Sequence, residues 1–275
     1  MNPHANARIS PLSPVISLLR HRGLVAMMVR RDIASRYKGS YLGWIWELFN
    51  PALMLAVYTF LFAGIFGARW AGVGDSKLHF GVILFAGLLV HGCFADLVNR
   101  SSGLVVSHAN YVKRVIFPLE ILSVVALGTA IFHVAIGFGV LLLALLALGQ
   151  PIHAAVITIP LILLPLFLLA LGVSWTLASI GVFVRDVGQF VALLTTALMF
   201  VSPIFYPLSA VPSAWQAAFR LNPLVFFIEQ VRAAVIWGVW PEWPLLVAWF
   251  VGALLVAWAG HAWFQLTRKG FADVL

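Results

Sequence analysis

The chain has 275 residues, of which 63% are hydrophobic and 9% charged, and its mean hydropathy is +1.03. Soluble domains carry about 25% charged residues, so an ordinary soluble domain is excluded and the apolar runs call for hydrocarbon as solvent. The net charge of +8 is scattered over short loops rather than gathered on one water-facing surface, which argues against nucleic acid as a partner.

The first 23 residues lack an apolar core ending at a small-residue cleavage site, so no signal peptide is expected. They read as an N-terminal cytosolic segment. Residues 24–41 follow as an interfacial amphipathic helix. Val25, Val29, Ile33 and Tyr37 recur every four residues, while Arg30, Arg31 and Lys38 occupy other faces. Asp32 and Arg36 intrude on the apolar stripe. Such a helix anchors topology by snorkelling its cations toward lipid phosphates, or it offers a docking surface to a cytosolic partner.

Six apolar runs are long enough to be spans, at about 45–66, 78–98, 119–148, 154–184, 188–205 and 245–266. None alternates with the period of a barrel strand, so the expected fold is an all-α integral membrane protein of six transmembrane helices. An even number puts both termini on one side. With cytosolic termini, 13 of the 17 Lys and Arg residues face inward and 4 outward, the bias of a multi-pass protein with both ends in the cytosol. Arg69, Lys77, Arg220 and Arg232 form the outer set. The transmembrane domain covers 42–267, and 268–275 is a cytosolic tail.

In the first span Glu47 precedes Asn50-Pro51. The proline removes a backbone donor and is expected to kink the helix, and Glu47 is expected to face protein or water, in an ion pair with a nearby arginine. Trp46, Tyr58, Phe205 and Tyr206 either belong to packing and interfacial belts, as Trp44 and Trp70 do, or line a conduit whose aromatic faces stack on sugar rings.

The inner loop 99–118 holds the polar, aromatic and basic run Asn110-Tyr111-Val112-Lys113-Arg114, which is available for contacts. Pro118 and Glu120 are expected to start and cap the third span. Arg185-Asp186 is nearly the whole turn between spans four and five, either a helix-terminus pair or a partner contact. Between spans five and six, 206–244 is rich in proline and holds two half-apolar pieces too short to cross. Two re-entrant helices are the expectation, with protein or a cavity covering their backbone.

Several chemistries find no support. Cys93 is the lone cysteine, so no intrachain disulfide is possible. The eight histidines show no HExxH spacing, and no GxxxxGK[ST] phosphate loop exists. Gly72-Val73-Gly74-Asp75 matches the GxGD pattern of intramembrane proteases by accident, because it sits in a polar loop. His91 and His133 lie inside spans, where they hydrogen-bond neighbours.

Taken in order, Arg36-Tyr37-Lys38-Gly39-Ser40, Leu42-Gly43-Trp44-Ile45-Trp46, Asn50-Pro51, the Lys113-to-Glu120 segment and Val184-Arg185-Asp186 make a recognisable series. Ser202-Pro203-Ile204-Phe205-Tyr206-Pro207, Leu221-Asn222-Pro223 and Arg268-Lys269-Gly270-Phe271-Ala272-Asp273 complete it. Over residues 24–275 the series resembles the membrane subunit of a type-2 ABC exporter, of the branch that exports polysaccharides. Glu47 is a polar departure from that pattern.

The resemblance implies a homodimer in the bacterial inner membrane, driven by two copies of a separate ATPase. The chain itself would then be no enzyme and hold no cofactor, with ATP and Mg bound by the ATPase. It assigns ATPase coupling to Arg30, Arg31, Arg36, Lys38, Asn110, Tyr111, Lys113, Arg114, Arg185 and Asp186. It assigns the substrate path to Trp46, Asn50, Pro51, Tyr58, Phe205 and Tyr206, and an exit gate to 206–244. The expected cargo is a lipid-linked glycan such as O-antigen, capsule or teichoic acid. A small-molecule exporter is the alternative, and a membrane-embedded enzyme lacks the paired acids or metal site it would need.

Overall fold

The computed structural model describes residues 10, 12–41, 43, 45–65, 77–112 and 117–275. Trp44, Trp70, the 72–75 motif, Lys113 and Arg114 lie outside the described residues. Among those described the chain is helical, with no strand.

The N-terminal part folds into α1 (Ser13–Arg20) and α2 (Arg22–Tyr37). Lys38 turns extended and Gly39 takes φ +85°, a conformation that L side chains rarely adopt, which ends α2. Helix α2 does not float free. Met28 and Ile33 are buried, Val25 and Val29 pack on the core, and α2 runs along α6.

Helix α3 (Ile45–Tyr58) continues through Pro51 and passes into a π-helical turn, Thr59–Ile65. Helix α4 (Lys77–Ser101) is the hub, packed by α3, α6, α7, α8 and α10. Of its apolar window 72% is buried, against 6% for α3. The first span therefore hangs on the outside of the bundle.

The inner loop folds into a 3-10 turn and the short α5 (Ala109–Val112). Helix α6 (Ile121–Ala147) starts one residue after Glu120, whose side chain makes no capping bond. Its carboxylate instead accepts from Ser17 Oγ at 2.9 Å and Arg268 Nη1 at 3.3 Å, tying both ends of the chain to α6. Tertiary partners outcompete the local cap.

Helix α7 (Ile159–Phe183) leads through Arg185-Asp186 into α8 (Val187–Val201). Helices α9 (Ser213–Arg220) and α10 (Pro223–Ile236) fill the proline-rich segment, and α11 (Trp243–Thr267) and α12 (Phe271–Val274) end the chain. Among the described residues five stretches are long and apolar enough to cross a membrane: Ile45–Phe62, Phe80–Ser101, Ile121–Ala147, Ala154–Phe183 and Trp243–Val274. The remaining apolar run becomes α8, only 15 residues long. That is about 22 Å of helix against about 30 Å of hydrocarbon. Pro203 explains the stop, because the residue before a proline avoids helical geometry and Ser202 is extended.

Helix α10 is mostly buried, against α4 and α7. Asn222 caps it, accepting from the Leu224 amide at 3.0 Å, with Pro223 at its first position. The same Asn222 donates Nδ2–H to Ser202 Oγ at 2.9 Å. Arg232, counted above among the outer-loop cations, is fully buried and so does not act as a flanking charge.

Candidate functional site

Two groups of residues stand out in the sequence, and among the described residues the structure brings part of each together. The first lies where α2 meets the inner loop. Arg31 Nη2 donates to the Tyr111 hydroxyl at 3.2 Å, and the Tyr111 ring stacks between His108 and Phe117 with centroids 5.6 and 4.4 Å away. Arg30, Lys38 and Asn110 are exposed beside this link, and Arg185 and Asp186 are exposed in the α7–α8 turn. That turn abuts the inner loop too, since a Cβ on Gly181 or Gly188 would meet Ser102. Between α2 and the inner loop lies a hollow of about 230 Å³ lined by Arg31, Asp32, Ser35, Arg100 and His108.

Arg36 and Asp32, which spoil the apolar stripe of α2, prove to be its fasteners. Asp32 Oδ2 accepts from Arg100 Nη2 at 2.7 Å and from Thr129 Oγ1 at 2.8 Å. Arg36 Nη2 reaches Asp96 at 3.3 Å. One helix is thereby pinned to α4 and α6 together. Burial alone would raise the Asp32 pKa, but the Arg100 and Thr129 hydrogen bonds and the charges of Arg100 and Arg36 bring it below its ordinary value. A depressed carboxylate contributes stability above its unfolded pKa and loses it as the pH falls through the folded one.

Asp32→Asn is therefore expected to lower the melting temperature of the detergent-solubilised chain by an amount that is constant from about pH 5 to 8. The deficit should shrink below about pH 4, where the parent carboxylate is protonated too. The cost at neutral pH is about 1–2 kcal/mol, the worth of a charge-assisted hydrogen bond at a partly exposed site. Melting curves of both proteins across that range check it; an equal deficit at pH 3 and pH 7 would contradict the assignment.

The second group lines the flank of α3. Trp46, Asn50, Pro51 and Tyr58 border an open cleft of about 360 Å³ whose other walls include Glu47, Met54, Phe85, Leu88, Leu89, His133 and Arg36. A smaller hollow of about 180 Å³ shares Arg36, Leu88, Leu89 and His133 and extends to Cys93 and Asp96. The two form one groove between α3, α4 and α6. Phe205 lies beyond its apolar end. Its ring stacks on Phe62 at 5.4 Å and Phe200 at 5.8 Å, and Tyr58 packs on the same cluster of Phe80, Ile83 and Leu84. Tyr206 donates its hydroxyl to the Phe200 carbonyl at 2.7 Å.

Glu47 is paired, but with a histidine rather than an arginine: His133 Nδ1–H donates to its Oε2 at 2.8 Å, and Glu47 is 6% exposed. His91 hydrogen-bonds the Thr195 carbonyl at 3.0 Å, and Thr195 donates to Asn99, so these two α4 residues hold α8. Sequence reasoning missed Arg100 as the anchor of α2 and His133 as the partner of Glu47. The signal for His133 was an ionisable group in an apolar run, which calls for a partner at equal depth. Among the described residues no three His, Cys, Asp or Glu side chains are arranged to hold a metal ion.

The described residues form a helical bundle of the multi-pass membrane class. The family described as ABC-2 type transporter matches residues 23–236. The chain belongs to that family. It is 28% identical over 261 residues to the O-antigen export system permease protein RfbA of Myxococcus xanthus, covering 94% of this chain and 98% of that one. An RfbA of Klebsiella pneumoniae with the same description is 25% identical over 253 residues, with 92% and 95% covered. The polysialic acid transport protein KpsM of Escherichia coli is 24% identical over 218 residues, with 78% and 81% covered.

Proposed function

We propose that the chain is the permease of an ATP-driven exporter that moves a lipid-linked polysaccharide, O-antigen in the first instance, across the bacterial inner membrane. The observation that carries this is near end-to-end similarity to O-antigen permeases. The convergence of α2, the inner loop and the 185–186 turn supports it, since a coupling surface must join several helices before it can move them. Two copies of the chain would form the conduit and two copies of a separate ATPase, binding ATP and Mg, would drive it. The chain would then be no enzyme.

In this reading both termini are cytosolic, α8 is the fifth of six spans, extended by residues 202–206, and α9 and α10 are re-entrant at the outer side. The domain limits stay at 1–23, 24–41, 42–267 and 268–275. Trp46, Asn50, Pro51, Tyr58, Phe205 and Tyr206 border the substrate path. Arg30, Arg31, Arg36, Lys38, Asn110, Tyr111, Lys113, Arg114, Arg185 and Asp186 serve coupling, with Arg36 acting indirectly by fixing α2.

The test is reconstitution. Proteoliposomes holding this chain and its ATPase are expected to move a lipid-linked glycan only when ATP is present. Transport that persists at the same rate without any ATPase would defeat the proposal. Charge reversal at two exposed positions, Arg30→Glu with Arg185→Glu, is expected to cut ATP-driven transport at least about tenfold. The melting temperature should stay within about 2 °C of the parent. An undiminished rate would remove these residues from the coupling surface.

A further inference from the structure

Helix α1 is built the wrong way round for water. Its polar edge meets the protein, where Ser17 Oγ donates to Glu120 Oε1 at 2.9 Å. Leu12, Val15, Ile16 and Leu19 follow the i, i+3, i+4, i+7 spacing that shares one helix face, and each is more than half exposed. None of the helical residues of α1 is buried. Isolated helices shorter than about 12–15 residues are marginal in water, so α1, with 8 residues, calls for a surface that accepts its apolar face.

Helix α2 makes the contrast. The interfacial pattern in the sequence falls on residues 24–41, yet α2 turns its apolar side to α6, with Met28 and Ile33 buried and Val25 and Val29 packed on the core. The amphipathic helix whose apolar face stays uncovered is α1. It ends before the matched family domain begins at residue 23.

What covers the face follows from where α1 is held and from its charge. Glu120 immediately precedes α6, and its other oxygen accepts from Arg268, immediately after α11. Both helices are long and apolar enough to cross a membrane, so α1 is fastened where two spans end. Exposed Trp263 and Leu266 carry the apolar outside of α11 nearly to Arg268. The lipid-facing surface therefore reaches the level at which Glu120 holds α1. No acidic residue occurs before Asp32, and Arg20 and Arg22 are exposed at the end of α1. Apolar side chains beside unopposed arginines complement the boundary of a bilayer with anionic headgroups. A second copy of α1 would instead set the same cations against each other.

We propose that α1 is a membrane-surface anchor that binds anionic lipid. Leu12, Val15, Ile16 and Leu19 lie in the headgroup boundary, and Arg20 and Arg22 pair with lipid phosphates. The bilayer thereby fixes the start of the chain beside the ends of α6 and α11.

The test uses the full chain with Cys93→Ser and one new cysteine carrying a bimane, in nanodiscs of phosphatidylcholine and phosphatidylglycerol in equal parts. The new cysteine is Leu19→Cys on α1, Leu255→Cys on the exposed face of α11, or Asp186→Cys in the exposed α7–α8 turn. Quenching by phosphatidylcholine spin-labelled near its carbonyl or near its methyl end reads the depth. The Leu19 label is expected to be quenched at least about threefold more than the Asp186 label, and more by the carbonyl-end spin than by the methyl-end one. The Leu255 label should favour the methyl-end spin. Adding Ile16→Glu, or Arg20→Gln with Arg22→Gln, should each lower quenching of the Leu19 label at least about threefold. These side chains are exposed, so the fold should not suffer. Discs of phosphatidylcholine alone should give the same loss as the arginine pair. A Leu19 label quenched no more than the Asp186 label would overturn the proposal, and so would quenching indifferent to phosphatidylglycerol. An unquenched Leu19→Cys that forms disulfide-linked dimers would give the face to a second copy, and shielding that appears only on adding the ATPase would give it to that partner; either result overturns lipid as the occupant.

Discussion

Arg232→Leu is expected to abolish recovery of folded, monodisperse protein. The guanidinium is fully buried and uses all three nitrogens: Nε–H donates to the Ile83 carbonyl at 2.9 Å, Nη2 to Ile204 at 2.7 Å, and Nη1 to Pro203. Nη1 also lies 3.3 Å from Glu229 Oε1. One side chain thus ties α10 to α4 and to the segment that ends α8. The Pro203 and Ile204 carbonyls lie where no helix can satisfy them, because Pro203 has just interrupted the backbone ladder, whereas Ile83 lies within α4. Leucine leaves those two acceptors without a donor, at about 1–3 kcal/mol each, and removes the link to α4 as well. The sum approaches the whole stability of a typical domain, about 5–15 kcal/mol. Arg232→Lys should recover little, since one ammonium on a flexible stem cannot reproduce a planar fork. Gel filtration of the detergent extract and a melting curve decide it. A leucine variant of parental yield, melting within about 2 °C of the parent, would show that these bonds are dispensable.

Arg232 and Asp32, two charges that hold helices together, mark how far the sequence alone is legible. Composition and run length were enough for the membrane class and for five of the spans, because a stretch of apolar residues longer than a bilayer has few alternatives. The α7–α8 turn and the two short helices between α8 and α11 were legible from Arg185-Asp186 and from the prolines. Arg232 was not. Counting cations in loops treats each one as a solvated charge, whereas this one sits in the apolar sequence Val231-Arg232-Ala233-Ala234-Val235, on the buried face of α10. Asp32 was misread in the opposite sense. A charge on an apolar stripe looked like a flaw in an interfacial helix, yet its partners Arg100 and Thr129 come from α4 and α6, 68 and 97 residues away. Periodicity sees one helix at a time, so pairings between helices stay hidden.

The candidate site shows the same division. Trp46, Asn50, Pro51 and Tyr58 lie within 13 residues of one helix, and that they share one groove follows from their position on α3. The opposite wall is supplied by α4 and α6, whose apolar sequences gave no hint of it except for His133. Glu47, the departure from the family pattern, acquires a structural meaning there. Helix α3 is the least covered span, and its carboxylate is fastened to α6 at the polar end of the groove.

The second large effect is expected at Gly172 and Gly260, where α7 and α11 touch backbone to backbone. A Cβ on Gly260 would stand 2.1 Å from the Gly172 carbonyl oxygen, and one on Gly172 would stand 2.5 Å from the Val256 carbonyl oxygen. Neither obstacle is a side chain that could swing away, so any substitution must push the helices apart. These two helices share the most extensive contact in the bundle. Their separation would also disturb Trp175 against His261, with centroids 5.1 Å apart, and the 2.6 Å bond between Ser179 and Thr267. Small residues serve such contacts in membranes, where association depends on close packing rather than on expulsion of water. Gly260→Val is expected to cost more than the about 1–3 kcal/mol typical of overpacking, because it loses the neighbouring contacts as well. Gly252→Ala provides the control on the same helix. A Cβ there meets nothing within 4 Å, so the change should be neutral or raise stability by up to about 1 kcal/mol through helix propensity. Gly172→Val combined with Gly260→Val should cost less than the sum of the two, with a coupling of at least about 1 kcal/mol, since the first substitution already opens the gap that the second needs. Melting temperatures of the four variants in one detergent measure all of this. Strict additivity, or a Gly260→Val protein as stable as Gly252→Ala, would mean that α7 and α11 do not meet at these glycines.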